Sequence, residues 1–109
     1  MTTNVDVRMN MCGKVHSIVI SMTLDGDFVF TVDTNCDHVK EFIDGLNPLT
    51  LEDLTDKRNS RIFKRMQEAK MSATCLFPSG LLSAGWLEAG LWARSRAKDV
   101  GENRVEFVL

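Results

Sequence analysis

The segment from residue 14 to residue 33 constrains the fold more than any other part of this sequence. Two apolar stretches, 14–23 and 28–33, flank the motif Asp25-Gly26-Asp27. The first stretch is rich in Val and Ile, and the second places its two phenylalanines on one face by strict alternation. Asp-Gly between two such stretches is typical of a tight turn between strands. The sequence therefore predicts a β-hairpin.

Another strand is predicted before this hairpin. Val5, Val7 and Met9 alternate with polar residues, which is the period of a half-buried strand. Gly13 follows Cys12 and indicates a turn or bulge between this strand and the next. The first third of the chain is therefore predicted to form strands.

Helical signals follow. Thr34 or Asn35 is suited to cap a first helix. Its apolar stripe, at helical spacing, consists of Val39, Phe42, Ile43 and Leu46. Thr50, with Asp53 three residues later, predicts the cap of a second helical segment that carries Ile62 in its core stripe.

A third helix is predicted over residues 79–93, after Pro78, which favours a first helical turn. This segment is apolar nearly all round, so it should be central and buried. Both tryptophans, Trp86 and Trp92, are accordingly expected in the core. The polar segment 94–103 should end the helix.

The last segment, 104–109, alternates Val105, Phe107 and Leu109 with other residues and predicts a terminal strand. The order is then three strands, three helices and one strand, with no repeat or linker. Strands grouped before helices indicate the α+β class. We expect one domain over residues 1–109, with a small mixed or antiparallel sheet and helices packed on one face.

Composition excludes several classes of protein. Hydrophobic residues make up 44% of the chain, which is enough for a core. Lys and Arg number 13 against 15 Asp and Glu, so a general nucleic-acid binder, which needs a basic excess, is not expected. No apolar run approaches the roughly 18 residues that span a bilayer, and the first residues lack the pattern of a secretory signal. We expect a cytoplasmic protein without membrane association.

Three cysteines, Cys12, Cys36 and Cys75, are the candidate functional residues. Three thiols cannot all pair within one chain, and there is no Cys-x-x-Cys motif. Cys36 and Cys75 each stand at a predicted helix start, where free N–H groups should stabilise a thiolate and lower its pKa. If the fold gathers all three, they would suit a zinc ion or an iron–sulfur cluster with one coordination position left open.

Other interpretations remain open at this point. Cysteine is often simply a small buried hydrophobe. His38 points away from Cys36 on a helix, and His16 is interpreted as a strand histidine without a function. The basic cluster from Lys57 to Arg65 is interpreted as a solvated face. No nucleophile–base pair is indicated by spacing, so no catalytic residue is predicted.

Three short motifs together resemble a known family. They are Met11-Cys12-Gly13, Thr34-Asn35-Cys36, and the run from Ala73-Thr74-Cys75 to Glu88-Ala89-Gly90-Leu91. The chain is similar to a family of small, uncharacterised three-cysteine proteins of anaerobic archaea and bacteria. That resemblance implies a shared three-cysteine site and no known activity.

A second similarity is confined to Cys75-Leu76-Phe77-Pro78. It resembles the Cys-Pro-x-Pro helix start of the sulfur carriers of tRNA thiolation, which implies a persulfide on Cys75. Three functions are thus carried forward: a metal or iron–sulfur protein using Cys12, Cys36 and Cys75, a sulfur carrier or redox protein centred on Cys75, and an interaction module that forms a homodimer or binds an unknown protein.

Overall fold

A computed structural model describes all residues, 1–109, and contains one antiparallel sheet of three strands. The strands are β1 (Thr2–Met9), β2 (Lys14–Met22) and β3 (Phe28–Asp33), in the order β1-β2-β3. The register pairs Val7 with His16 and Ile20 with Phe30. The predicted hairpin and the strand before it are confirmed.

Five helices follow the sheet: α1 (Asp37–Ile43), α2 (Leu51–Thr55), α3 (Arg61–Glu68), α4 (Phe77–Glu88) and α5 (Arg94–Val100). The α+β class is therefore confirmed. No helix in the structure has both the length and the apolar character needed to cross a membrane.

The predicted second helical segment is in fact two helices. Thr50 caps α2 in a complete capping box with Asp53, as its spacing predicts. The chain then turns, because Asp56 accepts hydrogen bonds from the amides of Arg58 and Asn59. Ser60 begins α3 by accepting from two amides of its first turn.

The apolar helix is shorter than predicted. It ends at Glu88, and Gly90, with φ +77°, turns the chain before α5 begins at Arg94. The expectation that segment 94–103 only ends a helix is wrong, because its first seven residues form α5. Trp92 is 40% exposed rather than a core residue, since it lies in the turn beyond the helix.

The predicted terminal strand is also wrong. Residues 101–109 have no secondary structure and are exposed, so the sheet has three strands and is purely antiparallel. One edge of the sheet is already occupied, because Leu49 exchanges backbone hydrogen bonds with Phe28 of β3. Asn47 also bonds both backbone groups of Phe30 through its side-chain amide. Leu49 and Asn47 therefore cover this edge at Phe28 and Phe30.

The core lies between one face of the sheet and the helices. Alternate residues of the strands point into it, including Val7, Ile18, Ile20 and Phe30, and α4 packs across β1 and β2. The other sheet face stays open and carries the half-exposed Val15, Val19 and Val29. The helices are therefore on one face, as predicted, and β1 runs beneath α4.

Gly80 sets the close packing of α4 on β1. A Cβ atom built on Gly80 would overlap Cγ2 of Val7, which is stiff because it is β-branched. Gly80→Ala is therefore expected to lower the free energy of unfolding by about 1–3 kcal/mol, despite alanine's better helix propensity. Urea denaturation measures this effect.

Ser79→Ala, an exposed neighbour on the same turn, is the control and should change stability by less than about 0.5 kcal/mol. Adding Val7→Ala to Gly80→Ala makes room for the new methyl group and should recover part of the loss. Equal stability of Gly80→Ala and Ser79→Ala would show that the two elements are not in close contact.

Candidate three-thiol site

Cys75 lies one residue before the N-cap of α4, as predicted from Pro78. The first free amides of this helix meet sulfur atoms: the Phe77 N–H donates to Cys75 Sγ at 3.5 Å, and the Leu76 N–H donates to Met9 Sδ at 3.3 Å. Helix starts leave such amides without intrahelical partners. The contact with Met9 brings Cys75 to the end of β1.

Cys36 is the N-cap residue of α1, which confirms its predicted place at a helix start. The prediction that Thr34 or Asn35 caps this helix is wrong. Its side chain makes no capping hydrogen bond, and its N–H donates to Thr34 Oγ1 at 3.0 Å. The side chain is partly buried and packs against the hydrophobic core. The Cys36 thiol therefore has no hydrogen bond to the helix that would prevent it from binding a ligand.

Cys12 lies in the turn between β1 and β2 and is exposed. Its Sγ is 3.6 Å from the carbonyl oxygen of Met9, the residue whose sulfur receives the Leu76 amide. Gly13, with φ +70°, closes this turn and confirms the turn predicted from its position. Met9 therefore contacts the Cys12 thiol on one side and the segment of Cys75 on the other.

Electrostatics link the three thiols. Burial raises the pKa of Cys75, the Phe77 amide opposes this rise, and the neighbouring Cys12 and Cys36 raise the pKa further. The prediction of a lowered pKa is wrong for Cys75, because desolvation outweighs the hydrogen bond from the helix start. Coulomb interactions reach Cys75 from both other thiols, so all three belong to one electrostatic neighbourhood.

His16 lies in β2, as predicted, and adjoins this neighbourhood. It is only 1% exposed, and its Nδ1 is 2.7 Å from Thr34 Oγ1, the same oxygen that accepts from Cys36. Its ring also meets Phe77 edge-on at 5.6 Å. Burial, with a smaller contribution from Lys14, lowers the pKa of His16, so the ring is neutral near pH 7.

The sequence did contain a signal for His16. It alternates with Ile18 and Ile20, so the period of the strand places it on the core face. A histidine among isoleucines on a buried face needs a polar partner. What the alternation could not reveal is that the partner, Thr34, also holds Cys36.

These side chains are neighbours but do not form a ready-made metal centre. No group of three or more His, Cys, Asp or Glu side chains in the structure is arranged to hold a metal ion. The three cysteines are all free thiols. The fold therefore joins the Cys12 and Cys75 segments through Met9, and the sulfurs are not set at ligand distances.

A polar cleft of about 320 Å³ opens where the start of β2 meets the end of β3, and no cysteine lines it. The residues that line it include Gly13 and Lys14, which follow Cys12, and Thr34 and Asn35, which precede Cys36. Two of the three cysteine segments therefore border a space that small solutes can enter.

An apolar groove of about 210 Å³ lies elsewhere, between α2, α3 and α4. It is lined in part by Leu54, Phe63, Trp86 and Trp92, and the two indole rings meet edge-on at 5.9 Å. Trp86 donates its Nε1–H to the carbonyl oxygen of Leu54 and is thereby held in place. This groove contains none of the three cysteines.

No curated protein and no solved structure matches the chain. A family model does match it over residues 3–100, and this model describes a family of unknown function, DUF6951. The match includes all three cysteines and ends at the last residue of α5. The chain therefore belongs to DUF6951, a family of unknown function.

Proposed function

We propose that this protein binds a thiophilic metal centre, a zinc ion or an iron–sulfur cluster, through the thiolates of Cys12, Cys36 and Cys75. The observation that carries the proposal is the convergence of three segments remote in sequence: Met9 contacts both the Cys12 thiol and the start of α4, and Coulomb interactions couple Cys75 to both other thiols.

A metal cation at this site would neutralise the charges of neighbouring cysteine thiolates. Neighbouring cysteines raise the pKa of Cys75 in the absence of a cation, whereas a bound cation reverses that effect and deprotonates coordinating thiols. Soft thiolate ligands select zinc and iron–sulfur clusters over hard cations such as magnesium. The donor set of this site therefore fits those two classes of metal centre.

His16 supplies a fourth donor in the zinc form of this proposal. Tetrahedral zinc sites commonly use three Cys and one His. The contact of Nδ1 with Thr34 leaves Nε2 without a hydrogen bond, and such an outer partner is what orients a ligating histidine. The lowered pKa of His16 also favours the neutral form that binds metals.

Side-chain movement is required to form the site, since the donors are not at ligand distances in this structure. Cys12 has the most freedom, because it is exposed in a turn and held only by a long contact to a carbonyl oxygen. We propose that rotation of Cys12 completes the set around the half-buried Cys36 and Cys75.

The raised pKa of Cys75 disfavours the sulfur-carrier alternative, because a carrier cysteine reacts as its thiolate. The interaction-module alternative is favoured by a different observation, the apolar groove beside Trp86 and Trp92. A fluorescence titration with candidate partners would test that alternative through the indole emission.

The test is metal binding by protein purified without oxygen. We expect zinc or iron at near-stoichiometric amounts by elemental analysis, and intense sulfur-to-metal absorption on titration with Co²⁺. Cys→Ser at position 12, 36 or 75 should each weaken Co²⁺ binding by at least about 10-fold. Metal-free protein that shows no such absorption would refute the proposal.

His16→Ala tests the fourth donor separately, with His38→Ala as the matched control, because His38 is exposed on α1. His16→Ala should weaken Co²⁺ binding by about 10-fold and shift the visible bands, while His38→Ala should change neither. Binding that depends on the cysteines but not on His16 would restrict the site to thiolates.

A further inference from the structure

The tail, residues 104–109, has the pattern of a strand but no partner. Val105, Phe107 and Leu109 alternate with other residues, and Phe107 is 66% exposed. The only hydrogen bond that a tail side chain makes joins Arg104 to Glu106 within the tail. A cluster of exposed apolar side chains in a six-residue segment marks a surface that contacts something else.

One edge of the sheet is open to receive such a strand. The outer side of β3 is bonded to Leu49 and Asn47 through Phe28 and Phe30. No backbone hydrogen bond outside the sheet reaches β1. An exposed edge of eight residues is a template for pairing with another strand.

The register tells which backbone groups of β1 are free. Phe28 and Phe30 bond outward from β3, so the residues between them bond inward to β2. The same alternation continues through the paired residues of β2 to β1. Thr3 and Val5 therefore bond to β2, whereas the N–H and C=O groups of Asn4 and Asp6 point outward. Asn4 and Asp6 are both exposed.

Charge on this edge complements charge on the tail. Asp6 and Arg8 alternate along the exposed face of β1, with an ion-pair distance of 3.6 Å. Arg104 and Glu106 alternate in the opposite order along the tail, at 3.2 Å. Parallel pairing of the two segments therefore places Arg104 beside Asp6 and Glu106 beside Arg8, where opposite charges on neighbouring strands are favourable.

We propose that the tail of one copy adds as a fourth strand to the β1 edge of a second copy, and that the reciprocal exchange forms a homodimer. In the single chain the tail leaves the body after Gly101, whose φ is +79°, and makes no contact that holds it to its own sheet. A second copy of the chain is the partner at the β1 edge, because each copy supplies both a tail and a β1 edge with complementary charges.

The exchange buries the apolar side chains of the tail, which lie on the helix side of the new strand. There they pack next to the side chains of Val5 and Val7. Stable interfaces bury about 1,200 Å² or more in total, so both tails must contribute to a symmetric dimer. The family match ends at residue 100, before the tail begins. Residues 103–109 are exposed and make no hydrogen bond to the body, so disrupting the tail should leave the fold intact.

The experiment is sedimentation equilibrium of the full chain in reductant, between about 1 and 100 µM, with circular dichroism to verify folding. We expect a reversible dimer. Phe107→Lys should weaken dimerisation at least 10-fold by placing a charge in the interface. Leu24→Lys, which alters a still more exposed side chain at the hairpin tip, should not weaken it.

Asn4→Pro tests the edge itself. Its N–H points outward, so proline should spare the bonds to β2 yet block the new strand. Mixing Asn4→Pro with Phe107→Lys restores one intact pair, the tail of the first with β1 of the second, and should restore partial association. A monomer at 100 µM, or a dimer that survives both substitutions, would overturn the proposal.

Discussion

Replacing Glu88 with alanine is expected to lower the free energy of unfolding by about 3–5 kcal/mol, the cost of breaking a buried charge network. Glu88 Oε1 accepts from the Thr3 hydroxyl at 2.8 Å and from Arg94 Nη2 at 2.9 Å. Oε2 accepts from the Met22 N–H at 2.9 Å. One side chain at the end of α4 therefore ties together the start of β1, the end of β2 and the start of α5.

Loss of this carboxylate leaves three donors around a buried position, and unpaired buried polar groups are costly. Chemical denaturation followed by far-UV circular dichroism measures the effect. Glu88→Gln, which keeps both the shape and an acceptor oxygen, should lose less. Arg94→Ala should also lose less, because the arginine side chain is 41% exposed and solvent screens its charge. Glu88→Ala with wild-type stability would show that the network is not formed in solution.

Phe77→Ala should destabilise the protein by about 3–5 kcal/mol, as truncation of a buried aromatic residue usually does. Phe77 is fully buried at the first position of α4. Its ring meets His16 edge-on at 5.6 Å and Phe42 at 5.9 Å. Such pairs add to the stabilisation that burial alone provides.

The matched control for Phe77→Ala is Phe107→Ala, because Phe107 is largely exposed in the single chain. Its unfolding free energy, measured at a concentration at which the protein is monomeric, should change by less than about 0.5 kcal/mol. Phe77→Leu should retain most of the stability, since leucine fills much of the same space. Equal effects of the two alanine substitutions would contradict the burial of Phe77.

Phe77 also connects stability to the proposed metal site. Its N–H bonds Cys75, and its ring packs on His16, so it holds the two most buried parts of the site in relation to each other. If Phe77→Leu keeps the fold, its Co²⁺ affinity should fall less than that of Cys75→Ser, because it moves no ligand atom away from the site.

Local signals in the sequence predicted the elements that carry the cysteines. Thr50 caps α2, Cys36 stands at the N-cap of α1, and Pro78 lies in the first turn of α4. Each prediction depends on residues within one helical turn of each other, so no knowledge of packing was needed. The same holds for the hairpin around Asp25 and Gly26.

Segment 104–109 shows that a local pattern alone does not determine a strand. Its alternation indicates a strand, but a strand also needs a partner strand. Leu49 and Asn47 cover the β3 edge at Phe28 and Phe30, and no strand of the same chain pairs with this segment. The sequence around Trp92 is likewise as apolar as that of a core helix. However, Gly90 ends the helix and leaves the indole half-exposed. In both cases the local sequence pattern is present, but the fold does not provide the neighbours that would pair with the strand or bury the indole.

By itself, the sequence determined the α+β class, the three strands, the starts of α1 and α2, and the places of Cys12, Cys36 and Cys75 in a turn and at helix starts, because these depend on short-range patterning. Only the tertiary structure decided that Met9 adjoins two cysteine segments, that Thr34 links His16 to Cys36, and that burial raises the pKa of Cys75. These properties arise from contacts between remote segments and from exclusion of water, which no run of neighbouring residues encodes.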